Sequence, residues 1–257
     1  MPAEREELLD LAVRAALAAG PPILEIYAED FVVRHKEDKS PVTLADTRAE
    51  AVILERLERE APEIAAIAEE RVAAAGAPGM IPARFWLVDP LDGTKEFVAR
   101  NDEFTVNIGL IEGTAPVLGV VYAPALDLLY VAAGPGTARR RRPDGSFEPI
   151  AARPLPATGA VILHSRSHIN SRRIAEFASD FPGASRAVAG SAIKFCHLAE
   201  GRADIYPRFG TTMEWDTAAG QAVLEAAGGS VTTLDGVPLA YRKPAFRNPN
   251  FIAWGRR

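Results

Sequence analysis

The sequence predicts a layered protein in which two helices lie on a mostly antiparallel sheet and a second half alternates strand and helix in the α/β manner. Three observations lead there. Apolar residues recur at helical spacing through Leu57, short β-branched and aromatic runs follow between Ile64 and Ala132, and past Pro156 the two patterns take turns.

From Glu4 to Ala19 the apolar positions Leu8, Leu11, Ala12, Ala15 and Ala19 make an amphipathic helix, which Gly20-Pro21-Pro22 is expected to stop. A second helix follows Ser40-Pro41-Val42-Thr43, with Ala49, Val52, Ile53 and Leu57 on one face and Pro62 beyond its end. The polar segment Arg34 to Lys39 between them reads as a loop. Strands are expected at Ile64 to Ala68, Phe85 to Val88, Phe104 to Ile111, Val117 to Tyr122 and Leu126 to Ala132. The basic run Arg139-Arg140-Arg141-Arg142 ahead of Pro143-Asp144-Gly145 reads as a solvated loop in preference to a contact for membrane headgroups or RNA. It suggests a boundary between an N-terminal domain, 1–150, and a C-terminal domain, 151–257.

In the second half, strands are expected at Ala160 to His164, Arg186 to Ala189, Ala203 to Tyr206 and Ser230 to Leu234. Helices are expected at Ser171 to Ser179, Ser191 to Glu200 and Asp216 to Ala227.

With 257 residues, 48% hydrophobic and 25% charged, the chain can bury a substantial core, which excludes disordered and fibrous classes. Its net charge of −5 gives no support to a general nucleic-acid binder, so an anionic substrate must be met by local cations. The single cysteine, Cys196, forbids an internal disulfide and a thiolate zinc site, which fits a reducing cytoplasm, and its helical neighbours Ile193 and Ala199 mark it as a buried apolar filler. The charged opening Met1 to Glu7 leads us to expect no secretion signal, and no apolar run is expected to reach the roughly 18 residues of a membrane span.

Chemistry concentrates in Phe85-Trp86-Leu87-Val88-Asp89-Pro90-Leu91-Asp92-Gly93-Thr94. An apolar strand delivers Asp89, Pro90 turns the chain, and Asp92 follows at a turn or helix start. Taken alone, an Asp-Gly pair reads better as a capped β-turn. It has company, however: Glu69-Glu70 ends another expected strand, Asp46 opens the second helix, and Trp215-Asp216 opens a late one. Six carboxylates, Asp46, Glu69, Glu70, Asp89, Asp92 and Asp216, could share a pocket only if protons or cations offset their repulsion. Magnesium is the natural cation, because it takes hard oxygen ligands and the chain has no Cys cluster or paired-His spacing for a softer metal.

Asp89-Pro90-Leu91-Asp92-Gly93-Thr94 together with Trp215-Asp216-Thr217-Ala218-Ala219-Gly220 resembles the two signatures of the inositol monophosphatase superfamily of magnesium-dependent, lithium-sensitive phosphatases. Lys95-Glu96-Phe97, Asn101 to Asn107, Ser165-Arg166-Ser167-His168 and Tyr206 to Gly210 are similar to its bacterial 3'(2'),5'-bisphosphate nucleotidase branch, a likeness extending to Asn248-Pro249-Asn250-Phe251. One departure is Ala68, where that branch often has Ser. The resemblance implies the αβαβα layered sandwich of that superfamily.

It also implies a chemistry. Two or three magnesium ions would be bound, one by Glu69, Asp89 and the Leu91 carbonyl and another by Asp89, Asp92 and Asp216. Glu70 and Thr94 would address the attacking water, with Asp46 accepting a hydrogen bond from Thr94, and the Gly93 and Thr94 amides would cradle the phosphate. Ser191, Lys194 and Arg208 would contact the remaining phosphate or ribose, and His168 would flank the base. The bland alternatives are a loop cap for His168 and a solvated surface for Lys194 and Arg208. His35, His164 and His197 have no ligand spacing and read as structural or exposed, and Trp86 and Trp215 as packing residues.

The implied reaction is removal of the 3'-phosphate of adenosine 3',5'-bisphosphate, a by-product of sulfate assimilation, by a cytoplasmic enzyme. Peripheral contact with the inner membrane face and a homodimer stay open. The alternatives are an inositol or sugar phosphate phosphatase of the same superfamily and a non-catalytic nucleotide-binding protein.

Overall fold

The computed structural model describes residues 2–35, 41–166 and 171–257. The first part contains helix α1 (Pro2–Ala28), the short strands β1 (Arg34–His35) and β2 (Pro41–Val42), helix α2 (Leu44–Glu60), strand β3 (Ala65–Ala68) and helix α3 (Glu69–Ala75). Strand β4 (Arg84–Asp92) and helix α4 (Thr94–Val98) lead into β5 (Thr105–Glu112), β6 (Ala115–Ala123), β7 (Leu128–Ala132), β8 (Arg139–Arg141) and β9 (Phe147–Pro149). Beyond them lie β10 (Val161–Ser165), α5 (Ser171–Ser179), β11 (Ser185–Ala189), α6 (Ile193–Ala199), β12 (Ile205–Arg208), α7 (Ala218–Ala226), β13 (Ser230–Thr233) and β14 (Phe251–Trp254).

Strands β3 to β9 form one sheet in chain order, antiparallel except for the β3–β4 pair. The second sheet runs β11-β10-β12-β14-β13, parallel among its first three strands and antiparallel in the rest. Alternation along β4 shows how the layers stack: Trp86 and Val88 pack with α1 and α2, while Phe85 and Leu87 face Trp215 and Phe246 on the other side. A central cluster joins Val121 and Tyr130 of the first sheet to Phe195 and Leu198 of α6, Val223 of α7, and Tyr206 and Phe251 of the second. Ile162, Ile205 and Trp254 then bury the outer face of the second sheet against Phe177 and Ala178 of α5. The expected αβαβα sandwich is the observed one. Trp86 and Trp215 do pack, but on opposite faces of the first sheet.

Three local expectations are corrected. Helix α1 does not stop at Gly20 but runs through Pro21 and Pro22 to Ala28. Interior prolines cost about 3 kcal/mol by removing donors, but continuing the helix buries Ile23 and Ile26 in the core, which offsets that loss. Gly20 acts as a notch for Tyr122, whose ring would lie 2.8 Å from an added Cβ. The helix, Ala3–Ala28, is long and apolar enough by length and composition to cross a membrane, but Arg14 and Glu25 keep its uncharged run well short of a span, and 44% of its most apolar window is buried in the fold, as in a core helix.

Arg139 to Arg141 of the arginine run form strand β8 and not a loop, paired with β7 and β9, and Arg142 opens the turn that follows. Each guanidinium faces a carboxylate: Arg139 meets Glu6 at 3.1 Å, Arg140 meets Glu148 at 2.6 Å and Glu200 at 3.0 Å, Arg141 meets Asp127, and Arg142 meets Glu148 at 2.9 Å. Arg34 and His35 pair with β2 where a loop was expected, while Lys36 to Ser40 lie outside the described residues. Strand β14 was not anticipated. Its four apolar residues are too short a run to carry a period, and they become a strand because β12 and β13 flank them.

Candidate active site

A β-bulge makes the core of the site. In β4 and β5, Asp89 opposes Asn107 and Asp92 opposes Thr105, so three steps on one strand match two on the other. Residues three apart on a regular strand point to opposite faces, and the one extra residue returns both carboxylates to the same cavity. Pro90, which has no N–H to give the ladder, sits inside the bulge, and the Leu91 amide donates to Asp89 Oδ1 at 3.0 Å. Gly93 then takes φ +90°, a left-handed conformation that favours glycine, and α4 begins.

Glu69 arrives from a different element than expected. Glu69 and Glu70 do not end a strand but form the first turn of α3, directly after β3. Asp216 arrives on the segment leading into α7, its Oδ2 accepting the Met213 amide at 2.8 Å. Carboxylate oxygens of Glu69, Asp89 and Asp216 lie within 4.8 Å of one another. Asp92 lines the same cavity, with Asn107 Nδ2 3.5 Å from its Oδ2. Its recessed position, together with Glu96 and Glu69, pushes the Asp92 carboxyl up to about 6 against the opposing pull of Lys194 and Arg208. Recession and the facing Asp92 and Glu69 push Asp216 up as well. Such a cluster of hard oxygens is unstable as a set of bare anions, and its donor chemistry suits a small divalent cation.

Behind it stands Asp46, third residue of a capping box at the start of α2. Its Oδ2 accepts from the Thr43 amide at 2.7 Å and the Thr43 hydroxyl at 2.8 Å. Its Oδ1 lies 3.3 Å from the Thr94 hydroxyl, which is equally 3.3 Å from the Leu91 carbonyl oxygen. With one proton to give, Thr94 serves one of these acceptors at a time. Asp46 and Glu70 are not among the residues lining the cavity, so the six expected acids divide into four that line it and two outside its lining. The Glu70 amide is held by Glu50 Oε2 at 2.8 Å.

The facing wall carries Ser191, Lys194 and Arg208. Lys194, buried at the start of α6, donates to the Ala189 and Ser191 carbonyls at 3.2 and 2.5 Å, and burial lowers its ammonium to about 8 despite Asp92 opposite. Arg208 ends β12 and donates from Nη2 to the Thr211 carbonyl at 3.0 Å, leaving its buried Nε without a partner among the described residues. The buried Ser191 hydroxyl has none among them either. Neither Lys194 nor Arg208 is a solvated surface residue. His168 lies outside the described residues.

Residues 4–255 match the inositol monophosphatase family. The chain belongs to that family. It is 43% identical over 251 residues to the 3'(2'),5'-bisphosphate nucleotidase CysQ of Escherichia coli O157:H7, covering 95% of this chain and 98% of that one. Among solved structures it resembles CysQ of Bacteroides thetaiotaomicron, with TM-score 0.81, 35% identity and 98% of both chains covered. It also resembles the inositol monophosphatase of Anabaena (Nostoc) sp. PCC 7120, with TM-score 0.74, 32% identity, and 98% of this chain and 91% of that one covered.

Within this inositol monophosphatase family member, Asn107, Glu96, Ser165, Tyr206 and Thr212 were not anticipated near the site. Asn107 was findable, because pairing the Asp89 strand with the next one sets it opposite Asp89. Glu96 reaches the cavity locally, two residues past Thr94 on α4, whereas Ser165, Tyr206 and Thr212 line it through tertiary packing. Cys196 is buried as expected, His197 pairs with Glu200 at 3.2 Å, and His164 Nδ1 lies 3.3 Å from the Ser165 carbonyl oxygen.

Proposed function

We propose that the protein is a magnesium-dependent phosphomonoesterase that removes the 3'-phosphate of adenosine 3',5'-bisphosphate to give AMP and phosphate. One observation carries the reading: carboxylate oxygens of Glu69, Asp89 and Asp216 lie within 4.8 Å of one another, in a cavity whose other wall offers Ser191, Lys194 and Arg208. The name of the Escherichia coli O157:H7 relative, a 3'(2'),5'-bisphosphate nucleotidase, supports the substrate.

In this reading residues 1–150 carry most metal ligands, and 151–257 carry Asp216 and the selectivity residues. Glu69, Asp89 and the Leu91 carbonyl would hold one magnesium ion, and Asp89, Asp92 and Asp216 a second. Bound there, magnesium neutralises phosphoryl charge and acidifies a water. Glu70 and Thr94 orient the attacking water, and Asp46 takes a share of the proton through the Thr94 hydroxyl. The Gly93 and Thr94 amides cradle the phosphoryl group. A bond forms between water oxygen and phosphorus, the bond from phosphorus to the 3'-oxygen breaks, and that oxygen leaves with a proton. Lys194, Arg208 and Ser191 meet the 5'-phosphate or ribose, supplying the local cations that an acidic chain otherwise lacks. His168 stays in the proposal as a neighbour of the base on resemblance alone. The setting is cytoplasmic clearance of a sulfate-assimilation by-product, with inhibition by lithium.

Phosphate release from adenosine 3',5'-bisphosphate and from inositol 1-phosphate at equal magnesium is the test. A clear preference for the bisphosphonucleotide is expected, and equal rates or the reverse preference would overturn the assignment.

A further inference from the structure

Asn101 to Phe104 carries Glu103 to the seam between the two sheets' strand ends. The Glu103 Oε2 atom accepts the Gly190 amide at 2.8 Å and Arg166 Nη2 at 2.9 Å. Those donors directly follow the neighbouring parallel strands β11 and β10. One carboxylate from the first half therefore ties together two loop starts of the second.

What it holds is a tight and unusual turn. A Cβ on Gly190 would lie 2.5 Å from the Glu103 carbonyl oxygen and 2.9 Å from Glu96 Cγ, so only glycine lets the turn approach this closely. Ser191 follows at φ +40°, a region that non-glycine residues adopt only when their surroundings impose it. Lys194 closes the turn from the other side through the Ala189 and Ser191 carbonyls. The same spot abuts the metal half, since a Cβ on Gly93 would lie 3.2 Å from the Glu103 carbonyl oxygen and 3.3 Å from Ser191 Cβ. Glu103 is not among the cavity-lining residues, so its influence passes through the turn.

We propose that Glu103 is a positioning residue: by fixing the Gly190–Ser191 turn it aims Ser191 and Lys194 and so sets selectivity for substrates with a second anionic group. The inference rests on the bisphosphonucleotide reading above. A merely structural Glu103 would change stability and all substrates alike. A positioning Glu103 changes the affinity for one class only.

The experiment is steady-state kinetics of the full-length enzyme with magnesium, using adenosine 3',5'-bisphosphate and inositol 1-phosphate. Losing a charge-assisted hydrogen bond is expected to raise KM for the bisphosphate about tenfold in Glu103→Ala. The kcat for both substrates and KM for inositol 1-phosphate should stay within about twofold. Glu103→Gln, whose carbonyl still accepts the Gly190 amide, should recover most of the bisphosphate KM. If Glu103→Ala does not fold, Glu103→Met, which keeps bulk but accepts no hydrogen bond, takes its place. An unchanged bisphosphate KM, or an equal loss on both substrates, overturns the inference while the assigned activity stands. A wild-type enzyme that does not distinguish the two substrates overturns both.

Discussion

A Cβ on Gly119 would lie 2.3 Å from the carbonyl oxygen of Ala219, so helix α7 rests on strand β6 backbone against backbone. Gly109 on β5 meets Ala218 in the same way, with 2.8 Å between an added Cβ and the alanine Cβ. Asp216 stands two residues before this helix. The small residues Ala218 and Ala219 thus set how near Asp216 comes to Asp89 and Glu69.

Gly119→Ala is therefore expected to push α7 outward, destabilise the protein by about 1–3 kcal/mol and lower kcat/KM more than about tenfold. Gly113→Ala in the β5–β6 turn is the contrast, because φ is +64° there but no atom of the described residues lies within 4 Å of an added Cβ. It should cost about 1 kcal/mol through backbone strain and leave kinetics unchanged. Thermal unfolding with kinetics on both variants checks this, and equal kinetic effects would dissociate the helix seat from the site.

Asp89 is buried and belongs, with Glu69 and Asp216, to the carboxylate cluster; in the proposed reading it holds both ions. Asp89→Asn should abolish turnover, by about a thousandfold or more, since charge neutralisation of the phosphoryl group depends on it. In chelator the variant should melt at or above the wild-type temperature, because one of several repelling charges is gone. The wild type should gain stability on adding magnesium and the variant should not. A wild-type midpoint that magnesium does not shift would remove the cation from this site.

Protons and cations compete for the same oxygens. Asp92 is raised to about 6 and Asp216 upward from their ordinary value of 3.8. A carboxyl raised on folding favours the protonated native state, so in chelator its contribution to stability falls as pH rises from about 4 through about 6. With saturating magnesium the sign reverses, and the gain in stability from the metal should grow across that window. Melting curves in chelator and in magnesium between pH 4 and pH 8 measure the difference, and Asp92→Asn should flatten part of it.

Lys194 is lowered to about 8, so its positive charge is present below that pH and is lost above it. Affinity for the bisphosphonucleotide should decline as pH passes about 8, and Lys194→Met should raise KM about tenfold while removing that decline. A variant whose alkaline limb matches the wild type would assign the limb to another group.

Much of the site was legible in the chain because its carboxylates come in short runs with local consequences. Asp46 reads as a first-turn acid because Thr43 caps the helix, and Asp89-Pro90-Leu91-Asp92 reads as a strand giving way to a turn. The buried status of Lys194 and Arg208 was not legible, since a cation looks the same in sequence whether solvent or an acid faces it. Helix α1 was cut short because proline is a local signal, whereas the burial of Ile23 and Ile26 that carries the helix past it is a nonlocal one.

By itself the sequence determined the longer helices and strands in order, the choice of hard-oxygen chemistry and the identity of the acids, because periodicity, turn residues and ligand type act over a few positions. Only the tertiary structure decided that Asp216 reaches Asp89, that one extra residue in β4 turns two aspartates to one side, and that Glu103 fastens the opposite wall. Those outcomes depend on backbones packed to within a few tenths of an ångström, and contact at that range is a property of whole layers in place.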